Sequence, residues 1–195
     1  MTAGGRPAVF LDRDGVLNRA LVRDGKPYPP ASVAELEILP GVSEALALLR
    51  QAGFLLFVVT NQPDVARGSQ RQEVVEAINA ALCRALPLEA IFTCYDDGNS
   101  PRRKPNPGLL LEAVEQYGVD LEASFLIGDR WKDIEAGRRA GCRTVLIDYG
   151  YQETSRDVVA DFTTRQILEA ARWIVAARAE RLSGKEKDHE MSGNA

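Results

Sequence analysis

Acidic and hydroxyl-bearing side chains follow three short apolar segments of this sequence, at residues 8–11, 55–59 and 125–127. The polar residues after these segments are, in chain order, Asp12, Asp14, Thr60, Asn61, Asp129 and Asp133. If the apolar segments are parallel strands, their carboxyl ends share one edge of a sheet, where open α/β sheets bind ligands. Carboxylates that converge there repel one another unless a cation holds them, and an all-oxygen ligand set favours Mg²⁺.

A magnesium site of this kind makes phosphoryl transfer to a carboxylate feasible. A cation that neutralises phosphate oxygens lets the Asp12 carboxylate approach phosphorus and form an aspartyl-phosphate. Asp14 is placed to protonate the leaving oxygen and then to activate water. Thr60 and Lys104 carry the hydroxyl and ammonium groups that stabilise charge on a transferring phosphoryl group. Lys104 also precedes a predicted helix start at Pro107, and helix N-termini favour phosphate.

Composition excludes several other chemistries. The only histidine, His189, lies in a polar C-terminal segment, so Ser-His-Asp and Cys-His nucleophiles and histidine-based zinc catalysis are excluded. The net charge of −4 gives no indication of nucleic acid or an anionic membrane as a partner. The longest apolar stretch, residues 54–59, is too short to cross a bilayer, and no signal-peptide pattern follows Met1. Three scattered cysteines fit reduced thiols in a cytoplasmic protein, with Cys83 and Cys142 as small core residues.

The order of apolar and amphipathic segments predicts a three-layer, doubly wound α/β fold. Apolar runs that suit strands buried on both faces occur at residues 8–11, 55–59, 91–93, 125–127 and 144–147. Helical spacing predicts helices at residues 41–52, 72–86, 107–117, 133–140 and 164–182. We expect a single domain over residues 1–182, with a central parallel sheet of about five strands and no large cap domain. Loops are expected at residues 19–35 and 96–107, and a disordered tail at residues 183–195.

Four segments, in order, resemble the sequence motifs of haloacid-dehalogenase-type (HAD) phosphatases. These segments are VFLDRDGVLN, VVTNQ, RRKPNPG and LIGDRWKDIEAG, and the resemblance covers roughly residues 9–147. It implies a Rossmann-like HAD fold and Mg²⁺-dependent hydrolysis of phosphomonoesters. Within the family, LDRDGVLN, TNQPDVARG and RKPNPG look closest to the subfamily of D,D-heptose 1,7-bisphosphate phosphatase and histidinol-phosphatase.

The resemblance also implies roles for individual residues. Asp12 would be the nucleophile and a metal ligand, and Asp14 the general acid/base that gives a backbone carbonyl to the metal. Asp129 would be the third protein ligand, and Asp133 is expected to support Asp129 or its loop rather than touch the metal. The residues expected to bind the phosphoryl group or the rest of the substrate are Thr60, Asn61, Gln62, Arg103, Lys104 and Arg130.

One segment departs from the subfamily pattern. Members usually hold a structural zinc in the loop before the lysine, through a Cys-x-His…Cys-x-Cys pattern, and only Cys94 of that set is present here. Because one thiol cannot complete a four-ligand site, we expect no structural zinc. The resemblance also implies that loops select the substrate where there is no large cap, and here these would be residues 19–30, 62–68 and 94–103.

Each of these residues alone also has an ordinary structural explanation, as a turn residue, an N-cap or a solvated charge. Their combination at successive strand ends favours catalysis. We therefore expect a monomeric phosphatase of a small phosphorylated metabolite, first a sugar bisphosphate such as D-glycero-D-manno-heptose 1,7-bisphosphate and second histidinol phosphate. The alternative from another class is a catalytically silent HAD-like binding protein. The sequence leaves the roles of Arg67, Cys94 and Trp131 open.

Overall fold

Strands and helices alternate over the residues that the computed structural model describes, which are 5–23, 26–151 and 158–192. The strands are β1 Ala8–Leu11, β2 Leu21–Arg23, β3 Lys26–Tyr28, β4 Leu55–Asn61, β5 Ala90–Cys94, β6 Phe125–Gly128, β7 Arg143–Ile147 and β8 Phe162–Thr164. The helices are α1 Val42–Gln51, α2 Gln72–Ala85, α3 Gly108–Tyr117, α4 Trp131–Ala140 and α5 Ile167–Ser192.

Six strands form one parallel sheet in the order β5-β4-β1-β6-β7-β8. The chain runs outward from β1 to β4 and β5, and then crosses back to β6, β7 and β8 on the other side of β1. The strand order therefore reverses at β1, which is the point where doubly wound sheets leave a ligand crevice outside the strand ends. The backbone N–H of Asp12 continues the β1–β6 ladder, because it donates to the carbonyl of Ile127 at 2.9 Å.

Two apolar layers cover the two faces of this sheet. Successive side chains of β1 alternate between them, so that Val9 and Leu11 belong to one layer and Ala8 and Phe10 to the other. The first layer includes the buried faces of α1, α2 and α5, and the second includes that of α3. Because the strand interiors are apolar on both faces, polar side chains are concentrated at the strand ends.

The five predicted strands are all present, and each agrees with the structure to within two residues. Two features differ from the sequence prediction. The segment expected to be a loop contains the β2–β3 hairpin, and β8 adds a sixth strand to the sheet. Each of these strands has only three residues, which is too short for a periodic pattern to emerge.

Helix α5 extends to Ser192, ten residues beyond the predicted end at Leu182 and into the segment for which we expected a disordered tail. Its continuation contains strong helix formers such as Glu186 and Lys187. Residues 193–195 lie outside the described residues.

The structure corrects one prediction about the burial of the cysteines. Cys142 is buried as expected, but Cys83 is exposed on α2, so the prediction that it is a core residue was wrong. Helical position decides this, because Cys83 follows the buried Leu82 directly and neighbouring helix residues face different directions. Among the described helices, none has the length and apolar character needed to cross a membrane.

Helix α1 packs on the sheet through a row of buried apolar side chains. Leu46 is fully buried in the layer that α1 shares with α5. We expect Leu46→Ala to lower the free energy of unfolding by about 2–5 kcal/mol, because it removes buried contacts and leaves a cavity. Leu111→Ala, the same change at a helix position that is 44% exposed, should change it by only about 0.5 kcal/mol. Urea denaturation of both variants measures the difference, and equal losses would contradict the assigned packing.

Candidate active site

A cleft of about 140 Å³ lies at the carboxyl ends of β4, β1 and β6, which are neighbours in the sheet. Asp12 follows β1, Thr60 is the second-to-last residue of β4, and Asp129 follows β6. The residues that line the cleft include Asp12, Asp14, Tyr28, Thr60, Asn61, Asp64, Arg67, Arg103, Lys104, Arg130, Lys132 and Asp133. The adjacency of three strand ends thus brings the predicted catalytic groups together.

Lys104 is the centre of the buried charges. Its ammonium donates to Asp12 Oδ1 at 2.7 Å and to the carbonyl of Val59 at 2.7 Å, and it lies 2.6 Å from Asp133 Oδ1. Burial alone would lower the pKa of Lys104, but the charges of Asp12 and Asp133 hold it above its usual value. Lys104 is therefore a fixed positive charge beside the candidate nucleophile.

The side chain of Asn61 holds the backbone of Lys104 in place. Asn61 Nδ2 donates to the Lys104 carbonyl at 3.0 Å, and Asn61 Oδ1 accepts from the Lys104 N–H at 3.1 Å. Both ends of this amide are used in that pair, so β4 fixes the loop that carries the lysine. We expected Asn61 to contact phosphate, and in the structure its hydrogen bonds go to Lys104.

Asp129 completes an acidic group that fits a divalent cation. One carboxylate oxygen from each of Asp12, Asp129 and Asp133 lies within 4.8 Å of the others. Neither oxygen of Asp129 has a hydrogen-bond partner among the described residues, although both are buried. Burial, and then the charges of Asp12 and Asp133, raise the pKa of Asp129 well above its usual value. Buried oxygens without donors, beside other carboxylates, are the chemistry of a Mg²⁺ site.

The pKa of Asp12 is raised to about 6. Burial is the largest cause; the ammonium of Lys104 opposes it, and the charges of Asp133 and Asp14 add to it. A cation at this position would offset the repulsion and keep the Asp12 carboxylate ionised at neutral pH.

Asp133 differs from Asp129, because the chain itself supplies partners for both of its oxygens. Oδ1 faces Lys104, and Oδ2 accepts from the backbone N–H of Arg130 at 3.1 Å, at the start of α4. A Cβ at Gly128 would overlap the Asp133 side chain, so glycine is needed at the end of β6. Asp133 is thus positioned to orient Lys104 and the Asp129 loop.

The loop after β7 contacts the site through tyrosines that the sequence analysis did not single out. Tyr149 donates from its hydroxyl to the carbonyl of Gly15 at 2.9 Å, and its ring lies 5.6 Å from that of Tyr151. Burial, and then the charge of Asp129, raise the pKa of both tyrosines. The same strand-end rule applied to β7 points to this segment, since Asp148-Tyr149-Gly150-Tyr151 follows that strand directly.

Asp14 is held by several donors beside the cleft. Asn18 Nδ2 donates to its Oδ1 at 2.9 Å, Gln62 Nε2 donates to its Oδ2 at 2.8 Å, and Arg13 forms an ion pair with it. Gln62, expected to bind phosphate, also donates to Thr60 Oγ1 at 2.9 Å and is buried. Its hydrogen bonds therefore connect Asp14 with Thr60.

The rim of the cleft is rich in basic side chains. Arg67 forms an ion pair with Asp97 at 2.5 Å, and Arg103 lies 3.2 Å from the same carboxylate. Arg130 and Lys132 line the same cleft. The structure thus places Arg67, whose role the sequence left open, with Arg103 in one charged group at the cleft mouth.

Comparison with known proteins identifies the family. Residues 101–170 match the family model described as HAD-hydrolase-like. A D-glycero-D-manno-heptose-1,7-bisphosphate 7-phosphatase from Thermosynechococcus vestitus is 31% identical to this chain over an alignment 203 positions long. The alignment covers 90% of this chain and 99% of that protein. This chain belongs to the HAD-like hydrolases, as one of their phosphatases.

Other members of the HAD-like hydrolases agree with this assignment. A D-glycero-beta-D-manno-heptose-1,7-bisphosphate 7-phosphatase from Pseudomonas aeruginosa is 40% identical over 154 residues, which cover 74% of this chain and 83% of that protein. The crystal structure of a D,D-heptose 1,7-bisphosphate phosphatase from B. bronchiseptica, in complex with magnesium and phosphate, matches with a TM-score of 0.73 and 29% identity. That match covers 88% of this chain and 99% of the other.

Gly15 packs closely against Asp129 of the candidate metal site. Its φ of +90° favours glycine, and a Cβ there would overlap Oδ2 of Asp129. We expect Gly15→Ala to lower Mg²⁺ affinity by about tenfold or more, because Asp129 must move. Gly118→Ala is the matched control, since Gly118 also has a positive φ, of +65°, but no atom within 4 Å of an added Cβ. Isothermal titration calorimetry measures the Mg²⁺ affinity of both folded variants. An unchanged affinity in Gly15→Ala would contradict the close approach of Gly15 to a metal-binding Asp129.

The raised pKa of Asp12 predicts that Mg²⁺ binding depends on pH. A carboxylate binds the cation only when it has lost its proton, and the pKa of Asp12 without metal is about 6. Affinity should therefore be constant above pH 7 and fall by about tenfold per pH unit below pH 6. The raised pKa of Asp129 acts in the same direction. Titration calorimetry between pH 5 and pH 8 measures this dependence, and a pH-independent affinity would contradict the raised pKa values of Asp12 and Asp129.

Proposed function

We propose that this chain is a Mg²⁺-dependent phosphomonoesterase that acts on a sugar bisphosphate through an aspartyl-phosphate at Asp12. The observation that carries the proposal is the position of Asp12 in the cleft. Its Oδ1 is fixed by Lys104 at 2.7 Å, while its side chain keeps 11% of its surface exposed to the cleft. A carboxylate that is fixed on one oxygen and accessible to a ligand is suited to attack phosphorus.

The metal would be held by the carboxylates of Asp12 and Asp129 and by the backbone carbonyl of Asp14. When bound, it supplies positive charge that neutralises phosphate oxygens and reduces their repulsion of the nucleophile. The unpartnered oxygens of Asp129 support this assignment. Asp133 supports it indirectly, because its bonds to Lys104 and to the Arg130 N–H fix the start of α4.

The remaining groups of the chain orient the phosphoryl group and move protons. Lys104 places a permanent positive charge beside the transferring group, and Thr60, on β4, lines the same cleft with its hydroxyl-bearing side chain. Asp14 donates a proton to the leaving oxygen as the phosphorus–oxygen bond breaks. It then accepts a proton from the water that attacks the aspartyl-phosphate, which restores the Asp12 carboxylate.

The charge of the rim supports a substrate with a second anionic group. Four basic side chains, Arg67, Arg103, Arg130 and Lys132, line the cleft and outnumber the carboxylates of Asp64 and Asp97 that pair with Arg67, so they would attract a distal phosphate. The relatives at 31% and 40% identity carry the name of heptose-1,7-bisphosphate 7-phosphatases, and D-glycero-D-manno-heptose 1,7-bisphosphate is accordingly our first substrate. Histidinol phosphate carries an ammonium group and an imidazole in place of a second phosphate, so its charge outside the phosphate has the same sign as this rim.

We further propose a single catalytic domain over residues 1–182 that acts as a cytoplasmic monomer and holds no structural zinc. The shared apolar layers that connect α1, α3 and α5 to one sheet support the single domain. The three free cysteines agree with a reducing compartment. Cys94, the one thiol of the loop before Lys104, is buried with its Sγ 3.7 Å from Asp96 Oδ2.

Phosphate release from a small substrate panel, with Mg²⁺ present, tests the function. We expect turnover of heptose 1,7-bisphosphate to exceed that of histidinol phosphate, and Asp12→Asn to lower it by about 10⁴-fold or more. Asp120→Asn is the matched control, because Asp120 caps a short 3-10 helix at the opposite edge of the sheet and asparagine also caps. Folded, Mg²⁺-binding protein that hydrolyses no member of the panel would favour the silent binding protein instead.

A further inference from the structure

We propose that Arg13 is a positioning residue for Asp14, and that Asn79 and Thr93 hold Arg13 in the required orientation. This inference rests on the proposed function, because it assigns Asp14 its direction toward the leaving group and the attacking water. Arg13 is the largest fully buried side chain of the described residues, with 0% of its surface exposed. It lies between the two aspartates of the first motif, yet the mechanism derived above does not use it.

The two edges of the Arg13 guanidinium have different partners. Nε and Nη2 face the Asp14 carboxylate, with the shortest contact at 2.9 Å between Nη2 and Oδ2. Nη1 donates to Asn79 Oδ1 on α2 at 2.9 Å, and Asn79 Nδ2 donates to Thr93 Oγ1 on β5 at 3.1 Å. A planar guanidinium cannot turn at one edge without turning at the other. The orientation of Asn79 therefore sets that of the group facing Asp14.

Stability alone is a weak explanation for this arrangement. Taking a guanidinium out of water costs several kcal/mol, and an ion pair regains that cost only with good geometry and further hydrogen bonds. Well-packed apolar side chains of similar volume are often as stable as a buried ion pair. The arginine does provide direction, because its fork fixes both the distance and the plane of the carboxylate.

Asn18 and Gln62 complete the arrangement around Asp14. Asn18 reaches Oδ1 and Gln62 reaches Oδ2, while 14% of the Asp14 side chain stays exposed in the cleft, where it can exchange a proton with a substrate oxygen. Because these donors come from the first motif and from the loop after β4, they fix Asp14 relative to Thr60. An error of about 1 Å in a catalytic group can cost about 10²-fold in rate, so removing the fork should be visible in kinetics.

A comparison of leaving groups separates positioning from general structural support. The value of kcat/KM reports only the steps up to departure of the leaving group. An alkyl phosphate such as heptose 1,7-bisphosphate needs a proton from Asp14 at that step, whereas p-nitrophenyl phosphate releases a stable phenolate without one. Both substrates give the same aspartyl-phosphate, so a misplaced Asp14 slows its hydrolysis, and hence kcat, for both.

The experiment uses Arg13→Lys, which keeps the charge but loses the fork, and Asn79→Leu, which leaves Arg13 in place but removes its anchor. For Arg13→Lys we expect kcat/KM to fall about 10²-fold for heptose 1,7-bisphosphate and to change less than about threefold for p-nitrophenyl phosphate. Asn79→Leu should show the same pattern with a smaller loss. Arg50→Met is the matched control, since Arg50 is an ion-paired arginine at an exposed position of α1.

The outcomes are distinguishable. Equal losses of kcat/KM for both substrates, in variants with unchanged Mg²⁺ affinity and melting temperature, would assign Arg13 a general structural role and overturn the inference. Unchanged kinetics in both Arg13→Lys and Asn79→Leu would overturn it as well. Wild-type protein that hydrolyses neither substrate would refute the proposed function itself, before any variant is compared.

Discussion

The ammonium of Lys104 between Asp12 and Asp133 is the contact on which the rest of the site depends. Three buried carboxylates within 4.8 Å of one another would repel strongly in a chain that supplied no positive charge. One ammonium reduces that repulsion but cannot cancel it, and the remaining negative charge is what gives the site affinity for a cation. The free energy of the fold and the affinity for metal are therefore linked through the same few atoms.

The sheet determines which residues can take part in this contact. Since β1 is buried on both faces and lies between β4 and β6, its carboxyl end is the place where two neighbouring strands can add polar groups to Asp12. The amide of Asn61 extends the same arrangement to a loop, because it binds the Lys104 backbone at both ends. Lys104 is far from Asp12 in the sequence. Because Asn61 lies at the end of β4, next to β1, its two hydrogen bonds hold the Lys104 backbone close to Asp12.

The sequence was informative where a local pattern carries the structure. Uninterrupted apolar runs located the five longer strands, and the residues after them included Asp12, Thr60 and Asp129. Contacts that depend on tertiary geometry could not be predicted. Examples are the hydrogen bond from the Tyr149 hydroxyl to the Gly15 carbonyl and the hydrogen bonds that connect Arg13 through Asn79 to Thr93. Asn79 occupies a helical position at apolar spacing, and nothing in that spacing indicates that its amide binds a guanidinium. The three-residue strands were missed because three residues are too few to establish an alternating pattern.

The ion pairs of Asp97 have a consequence for the binding and release of anionic ligands in the cleft. This carboxylate already lies against the guanidiniums of both Arg67 and Arg103. An incoming anion that binds those guanidiniums must displace Asp97, so the chain carries its own competitor at the cleft mouth. This competition lowers the affinity of the two arginines for any anionic ligand. When the ligand dissociates, Arg67 and Arg103 can form their ion pairs with Asp97 again. Under the proposed function, the same competition would favour release of a charged product.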